Sequence, residues 1–200
     1  MSLGGVQFLV GGLAVPIAGV SPTDVTYPGQ WDLPSNAALD IEVWNAAVLA
    51  SPFVPGFQVT PASPAVYLIR QPTGPFLLTA VHQDFSALVS ADSPARSGET
   101  LHVYAHDLGP VSPVPPAGLP APLQPLSRLT VSLACTFGGD TNPNPVPVNV
   151  AFAGLAPALL NVFQVDVTLP VSFQSSPSRL LCQLGDPLLG QGVAGFIPVQ

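Results

Sequence analysis

The residues of this chain from which a reactive site could be assembled are few: three histidines, two cysteines, two tryptophans and eleven acidic side chains. His102 and His106 have the i, i+4 spacing that serves a metal from one helix face. On an extended strand the same spacing covers about 13 Å, too far for one ion. Strand alternation predicts both on a solvent face, flanking Tyr104, and His82 has no sequence neighbour that gives it a role. Asp140, Asn142 and Asn144 offer oxygen donors at alternate positions, as the opening of a calcium loop does. Pro145 and Ala151 stand where such a loop needs its glycine and its glutamate, so the segment reads as an Asn/Pro-rich hairpin connection. No Gly-x-Ser-x-Gly elbow occurs. The two glutamates, Glu42 on a strand and Glu99 in a turn, suggest no carboxylate pair, and Asp40 shares only a solvated strand face with Glu42. The chain is expected to have no catalytic residues, metal or cofactor, and not to be an enzyme.

Aromatic side chains leave a binding reading open. Trp31 and Trp44 lie in the first half, and Trp44 continues the outward face of Ala38, Asp40 and Glu42. Such rings serve as sugar-stacking platforms in carbohydrate-binding sandwiches; alternatively, Trp44 covers an interface between two halves of the molecule.

The elements that must carry these residues are strands. The chain has 200 residues, 48% of them hydrophobic and 8% charged, with 26 Pro and 18 Gly scattered between short apolar runs. That composition excludes disorder, allows a substantial core and leaves little room for long helices. Four arginines, no lysine and a net charge of −7 exclude nucleic acid and anionic membrane as partners. They also exclude Schiff-base and phosphate-loop lysine chemistry. Charge-free stretches such as 43–69 are interrupted by Pro52, Pro55, Pro61 and Pro64, which speaks against a membrane helix. The apolar start lacks a basic region and reads poorly as a signal peptide; its Met-Ser-Leu-Gly-Gly opening reads as an expression scar or a truncation point.

Period-2 alternation is clean in the second half. Leu129, Val131, Leu133, Cys135 and Phe137 form one apolar face, and Val146 to Phe152, Phe163 to Leu169, Leu180 to Leu184 and the 193–199 run repeat the pattern. Upstream, Leu101, Val103 and Ala105 face opposite to His102, Tyr104 and His106. One wet and one buried face predicts antiparallel sheets. The first half repeats the second. Val10-Gly11-Gly12 matches Phe137-Gly138-Gly139, Ala18-Gly19-Val20-Ser21-Pro22 matches Ala153-Gly154-Leu155-Ala156-Pro157, and Leu39, Ile41 and Val43 match Leu180, Cys182 and Leu184. Val54-Pro55-Gly56-Phe57 matches Val193-Ala194-Gly195-Phe196, all in one order at offsets of about 127 to 141. Gly19 and Gly154 are therefore expected in equivalent turns. Cys135 and Cys182 fall on apolar strand faces, with Phe8 and Ile41 as their counterparts. They are expected to form a disulfide, which requires a compartment outside the reducing cytosol; the alternative is a pair of buried thiols. Between the copies, 109–125 packs seven prolines into 17 residues as a stiff loop.

Three segments carry a family likeness: Arg-Ser-Gly-Glu-Thr-Leu-His-Val-Tyr-Ala-His-Asp-Leu-Gly-Pro-Val at 96–111, Val-Ala-Phe-Ala-Gly-Leu-Ala-Pro at 150–157 and Val-Phe-Gln-Val-Asp-Val-Thr-Leu-Pro at 162–170. Together they resemble the Solibacter-type uncharacterised C-terminal domain family of bacterial secreted proteins, with the character of immunoglobulin-like TIG/IPT modules. The family shows Gly-Thr-Gly-Leu-Gly where this chain has Ala105-His106-Asp107-Leu108-Gly109. The resemblance implies a fold and a compartment and assigns no activity. The reading is thus all-β: tandem immunoglobulin-like antiparallel sandwiches, a first and incomplete module over 1–75 and a second over 76–200. The expected role is a non-enzymatic structural or adhesive tail of a larger extracellular or cell-surface protein. Its expected partners are other protein domains or matrix material, with no nucleic acid and no membrane insertion. The alternatives are a carbohydrate-binding module using Trp31 or Trp44, which would make polysaccharide a partner, and a hydrolase accessory domain. The incomplete module is expected to recruit residues 76–89, or else a second copy of the chain through an open sheet edge or a strand carried upstream in the natural protein.

Overall fold

The computed structural model describes residues 2–29, 33–50, 53–138, 145–172, 176–186 and 192–200. Trp31, Asp140, Asn142 and Asn144 lie outside them. The described chain is all-β, mostly antiparallel, with no helix. In order, the strands are β1 (Val6–Val10), β2 (Leu13–Ala14), β3 (Gly19–Val20), β4 (Val25–Thr26), β5 (Ala37–Asn45), β6 (Val48–Leu49) and β7 (Val54–Val59). They continue with β8 (Ala65–Val66), β9 (Leu68–Ile69), β10 (Leu77–Leu78), β11 (Ala80–Val81), β12 (Thr100–His106) and β13 (Val111–Ser112). The last are β14 (Arg128–Leu129), β15 (Leu133–Gly138), β16 (Val146–Leu155), β17 (Phe163–Thr168), β18 (Ser178–Leu184) and β19 (Val193–Ile197).

These strands form a small sheet of order β2-β1-β5-β6, with β7 also on β5, a separate β3-β4 pair, and a large sheet. The large sheet runs β11-β12-β17-β16-β15-β18-β19-β10-β9, with β8, β13 and β14 attached. Its two ends meet. One residue, Thr79, separates β10, beside the end strand β9, from β11 at the other end: its N–H donates to the Tyr67 carbonyl at 2.8 Å, and its carbonyl accepts from the Tyr104 N–H at 3.0 Å. The sheet is thereby nearly closed, like a barrel, which leaves few unpaired backbone groups. This closure overturns the expectation that 76–89 completes the first module. Leu77 pairs with Phe196 and Ile69, and Ala80 and Val81 pair with Val103 and His102, all within the large sheet. β8 and β9, grouped by sequence with the first module, also pair into it.

The expected single strand from Leu129 to Phe137 is two strands. Arg128 and Leu129 pair with β13, Thr130 N–H bonds to the Pro110 carbonyl, and the chain then crosses to pair Leu133 with Leu184. Alternation continued across the break because both strands present one side to the same core. That core gathers Leu101, Val103, Phe163, Val165, Val167, Leu180, Ile197 and their neighbours, all buried. Among the described residues, the core cluster of the small sheet consists of Phe8, Val10 and Val15, with Tyr27, Leu39, Ile41 and Val43 packed partly against them, and Val6 on β1 is buried as well.

The small and large sheets share one run of strand order. β5 lies between β1 and β7 as β18 lies between β15 and β19. Ile41 faces Val54 where Cys182 faces Val193. Two expected details are corrected. Phe8 faces Val43, and Ile41 faces Val10, so the cysteine pair's counterpart is shifted along the strand. Gly19 and Gly154 sit in strands rather than turns, paired to Thr26 and Gln164. At Gly154 a Cβ would fall on the Ser127 carbonyl oxygen, so close backbone approach is the reason for glycine there.

Candidate functional site

The richest polar cluster is built on the connection between β11 and β12. His82, directly after β11, is 9% exposed, and Glu99, directly before β12, faces it across the connection. Glu99 Oε1 is 2.7 Å from His82 Nδ1, and Ser93 Oγ and the Ser93 carbonyl lie 3.0 and 3.2 Å from Nε2. Burial acts to raise the Glu99 pKa. Hydrogen bonds from the Arg96 amide, His82 and the Gln83 amide outweigh it, and the carboxyl titrates below its usual range. An ionised Glu99 requires Nδ1 to donate. The hydroxyl, imidazole and carboxylate then have the sequence of a hydrolytic triad, yet the Ser93 carbonyl beside Nε2 changes its meaning. A ring that donates from Nε2 can bond to the Ser93 carbonyl, whereas a ring with a lone pair on Nε2 can accept from the Ser93 hydroxyl. The arrangement ties the connection to itself, with His82 bridging Glu99 and Ser93.

Beside it lies a polar cavity of about 760 Å³, lined by residues that include His82, Asp84, Asp92, Ser93, Arg96 and Glu99. A second imidazole holds the same connection from below. His102 is buried, contrary to its expected exposure. Its Nδ1 lies 2.7 Å from Asp166 Oδ1, its Nε2 lies 3.2 Å from the Gln83 carbonyl, and Phe85 stacks on its ring at 4.1 Å. Alternation predicted the face correctly but not the chain that folds back over it. His106 keeps partial exposure and takes different partners, Asp107 at 3.1 Å and the Tyr67 ring at 5.4 Å. Tyr104, between the two histidines, has its hydroxyl pKa raised by burial and by the Asp166 charge. Among the described residues no group of three or more His, Cys, Asp and Glu is placed to hold a metal.

Cys135 and Cys182 face each other across β15 and β18 and are joined in a disulfide inside the large core. A disulfide fits a location outside the cytoplasm. No helix among the described residues is long and apolar enough to cross a membrane. Trp44 is half-buried on β5, and its Nε1–H donates to Glu42 Oε2 at 2.7 Å, which leaves the indole faces unhindered by that bond. A separate groove of about 440 Å³ runs between the small and large sheets, with Tyr27, Leu33, Phe57, Asp107, Asn161 and Phe163 among its lining. Asn161 Nδ2 spans the two parts, donating to the Pro28 and Gly29 carbonyls at 2.8 and 3.2 Å. Burial first, and the Asp107 charge second, raise the pKa of Tyr27.

The His82, Ser93 and Glu99 cluster was not legible in sequence, since residues eleven and seventeen positions from His82 converge only when β11 and β12 pair. The available signal was the polar run 90–99 between two apolar strands. The chain matches no protein-family model, no curated protein and no solved structure.

Proposed function

We propose that this chain is a non-enzymatic pair of immunoglobulin-like β-modules that serves as a structural or adhesive tail of a larger extracellular or cell-surface protein. The observation that carries the reading is the disulfide within the core of a nearly closed all-β sheet. The shared strand order of β1-β5-β7 and β15-β18-β19, and the resemblance to the Solibacter-type family, support the tandem arrangement and the secreted compartment. Tail modules of this kind act by rigidity and surface contact, and the polar groups of the 82–99 connection are spent on internal bonds. Co-sedimentation tests the role: the oxidised protein should pellet with bacterial envelopes or extracellular matrix and turn over neither ester nor glycoside substrates. Turnover abolished by Ser93→Ala would replace the reading with a hydrolase.

A second reading is favoured by one contact. The bond from the Trp44 N–H to Glu42 fixes the indole on the outer side of β5, as a sugar-stacking platform requires. Soluble polysaccharide should then quench tryptophan fluorescence saturably, and a Trp44→Ala variant should lose the response.

A further inference from the structure

The groove between the small and large sheets has a wall of one electrical sign. It holds about 440 Å³, and among the described residues Asp107 is the only charged side chain that lines it; none of the four arginines does. Asp107 is held there by its backbone: at a φ of 54°, its carbonyl accepts from the Ser63 N–H at 3.0 Å. One carboxylate oxygen, Oδ2, lies 3.1 Å from His106 Nδ1, which leaves Oδ1 for another donor. Asn161 supplies a second acceptor. Both bonds from its Nδ2 go to the Pro28 and Gly29 carbonyls, so Oδ1 is the atom left for a further bond. Tyr27 and Phe57 add rings to the same wall. Tyr27 is braced by Phe8, with ring centroids 4.9 Å apart, and Phe57 is 41% exposed. After burial, the Asp107 charge is the second cause that raises the Tyr27 hydroxyl pKa, so the negative field of the carboxylate reaches that ring.

We infer that this groove binds a primary alkylammonium, whose nitrogen donates to Asp107 Oδ1, with Asn161 Oδ1 as the second acceptor on the wall, and whose aliphatic stem lies against Tyr27 and Phe57. An anion would face a carboxylate with no cation in the described wall to offset it. A neutral apolar group would take water from Asp107 and return no bond. An ammonium brings three donors to the open acceptors and is attracted by the faces of aromatic rings. A guanidinium pairs best with both oxygens of one carboxylate, and here His106 already takes one of them. The net charge of −7 favours the approach of any cation. The chain contains no lysine, so the side chains of a second copy do not supply the ligand. It arrives as a free amine or as a lysine side chain of another polypeptide. The inference stands apart from the adhesive role and from the Trp44 platform, neither of which uses this groove.

The test uses the intact oxidised protein, isotope-labelled for NMR, and n-butylammonium chloride at constant ionic strength. The backbone amides of Ser63 and Asp107 and the side-chain amide of Asn161 should shift saturably, with half-saturation at about 1 to 10 mM. n-Butanol, which keeps the stem and lacks the charge, should produce no saturable shift. Asp107→Asn retains the fold, because asparagine tolerates the left-handed φ at that position, and should weaken amine binding by about fivefold or more. A second arm separates the sources with the peptide acetyl-Gly-Lys-Gly-amide. Binding at least as tight as that of butylammonium assigns the ligand to a lysine of another polypeptide, weaker binding assigns it to a free amine, and either supports the site. Absence of saturation by about 100 mM amine overturns the inference. Equal binding of butanol overturns it too, with no variant needed. Unchanged amine affinity in Asp107→Asn also overturns it, because the ammonium then sits elsewhere.

Discussion

The triplets β1-β5-β7 and β15-β18-β19 have one strand order and two different fates. Along β18 the side chains alternate between buried and more exposed positions, with Leu180, Cys182 and Leu184 buried, whereas no residue of β5 is fully buried. Both strands have the alternating sequence of a half-buried sheet. The difference is what lies on either side. β19 is flanked by β10, and the large sheet folds round until it nearly closes at Thr79; among the described residues β7 pairs with β5 alone, and the small core cluster holds three buried residues. Alternation therefore specifies which face is apolar, while covering layers decide how far that face leaves water.

The largest expected effect lies at the point where the two triplets differ most in chemistry. The disulfide closes a loop across a sequence separation of 47, which by chain entropy is worth on the order of 4 kcal/mol. The corresponding region of the small sheet has only packing contacts, such as Phe8 against Val43. Urea unfolding of the wild type and of a Cys135→Ser, Cys182→Ser variant should differ by about that amount, and the unfolded, unreduced wild type should titrate no free thiol. Two titrated thiols would remove the contrast altogether.

The glycines that the repeat aligns provide the next contrast. Gly154→Ala drives a methyl group onto the Ser127 carbonyl and should cost about 3 kcal/mol. At Gly19 the nearest atom to such a methyl is the Thr26 Cβ at 3.9 Å, so Gly19→Ala should change stability by less than about 0.5 kcal/mol. Similar costs at both positions, measured by thermal or urea unfolding, would show that their environments are alike after all.

Acid should act first on the corner that only the large sheet possesses. The Glu99 pKa is lowered in the folded state, so its ionisation stabilises the fold above the ordinary glutamate value near 4.5, and this contribution disappears as pH falls through the lower folded value. Exchange of the 83–86 amides should accelerate over that window. In Glu99→Gln they should already exchange faster at neutral pH and lose the acid dependence. The smallest effect belongs to the outer side of the small sheet. Removing the acceptor of Trp44 with Glu42→Ala should cost about 0.5 kcal/mol and move the tryptophan emission to the red, as the indole N–H turns to water.

The legible part of the molecule was its local grammar. The apolar faces of β12, β15, β17 and β18 were written in single residues at every second position, and the cysteine pair followed from two such faces. What stayed hidden was non-local. Nothing in Phe-Leu-Leu-Thr-Ala-Val says that its first half pairs with β19 and its second with β12, because both choices bury the same leucines. His102 had the polar position of its strand, and only the return of Gln83 and Phe85 above it removed it from water. His82 and Glu99 carry no shared spacing rule, since their meeting depends on the register between β11 and β12.

The bridge between Cys135 and Cys182 also sets how far the chain can be drawn out. Tension applied at the two termini travels up to Cys135, crosses the sulfurs and leaves from Cys182, so the strands β16 and β17 between them bear no load along their own backbone. At about 3.4 Å per residue the shielded stretch amounts to roughly 160 Å of slack that a pull cannot release while the sulfurs stay joined. Reduction would turn this part of the protein from a short, inextensible link into a long, yielding one.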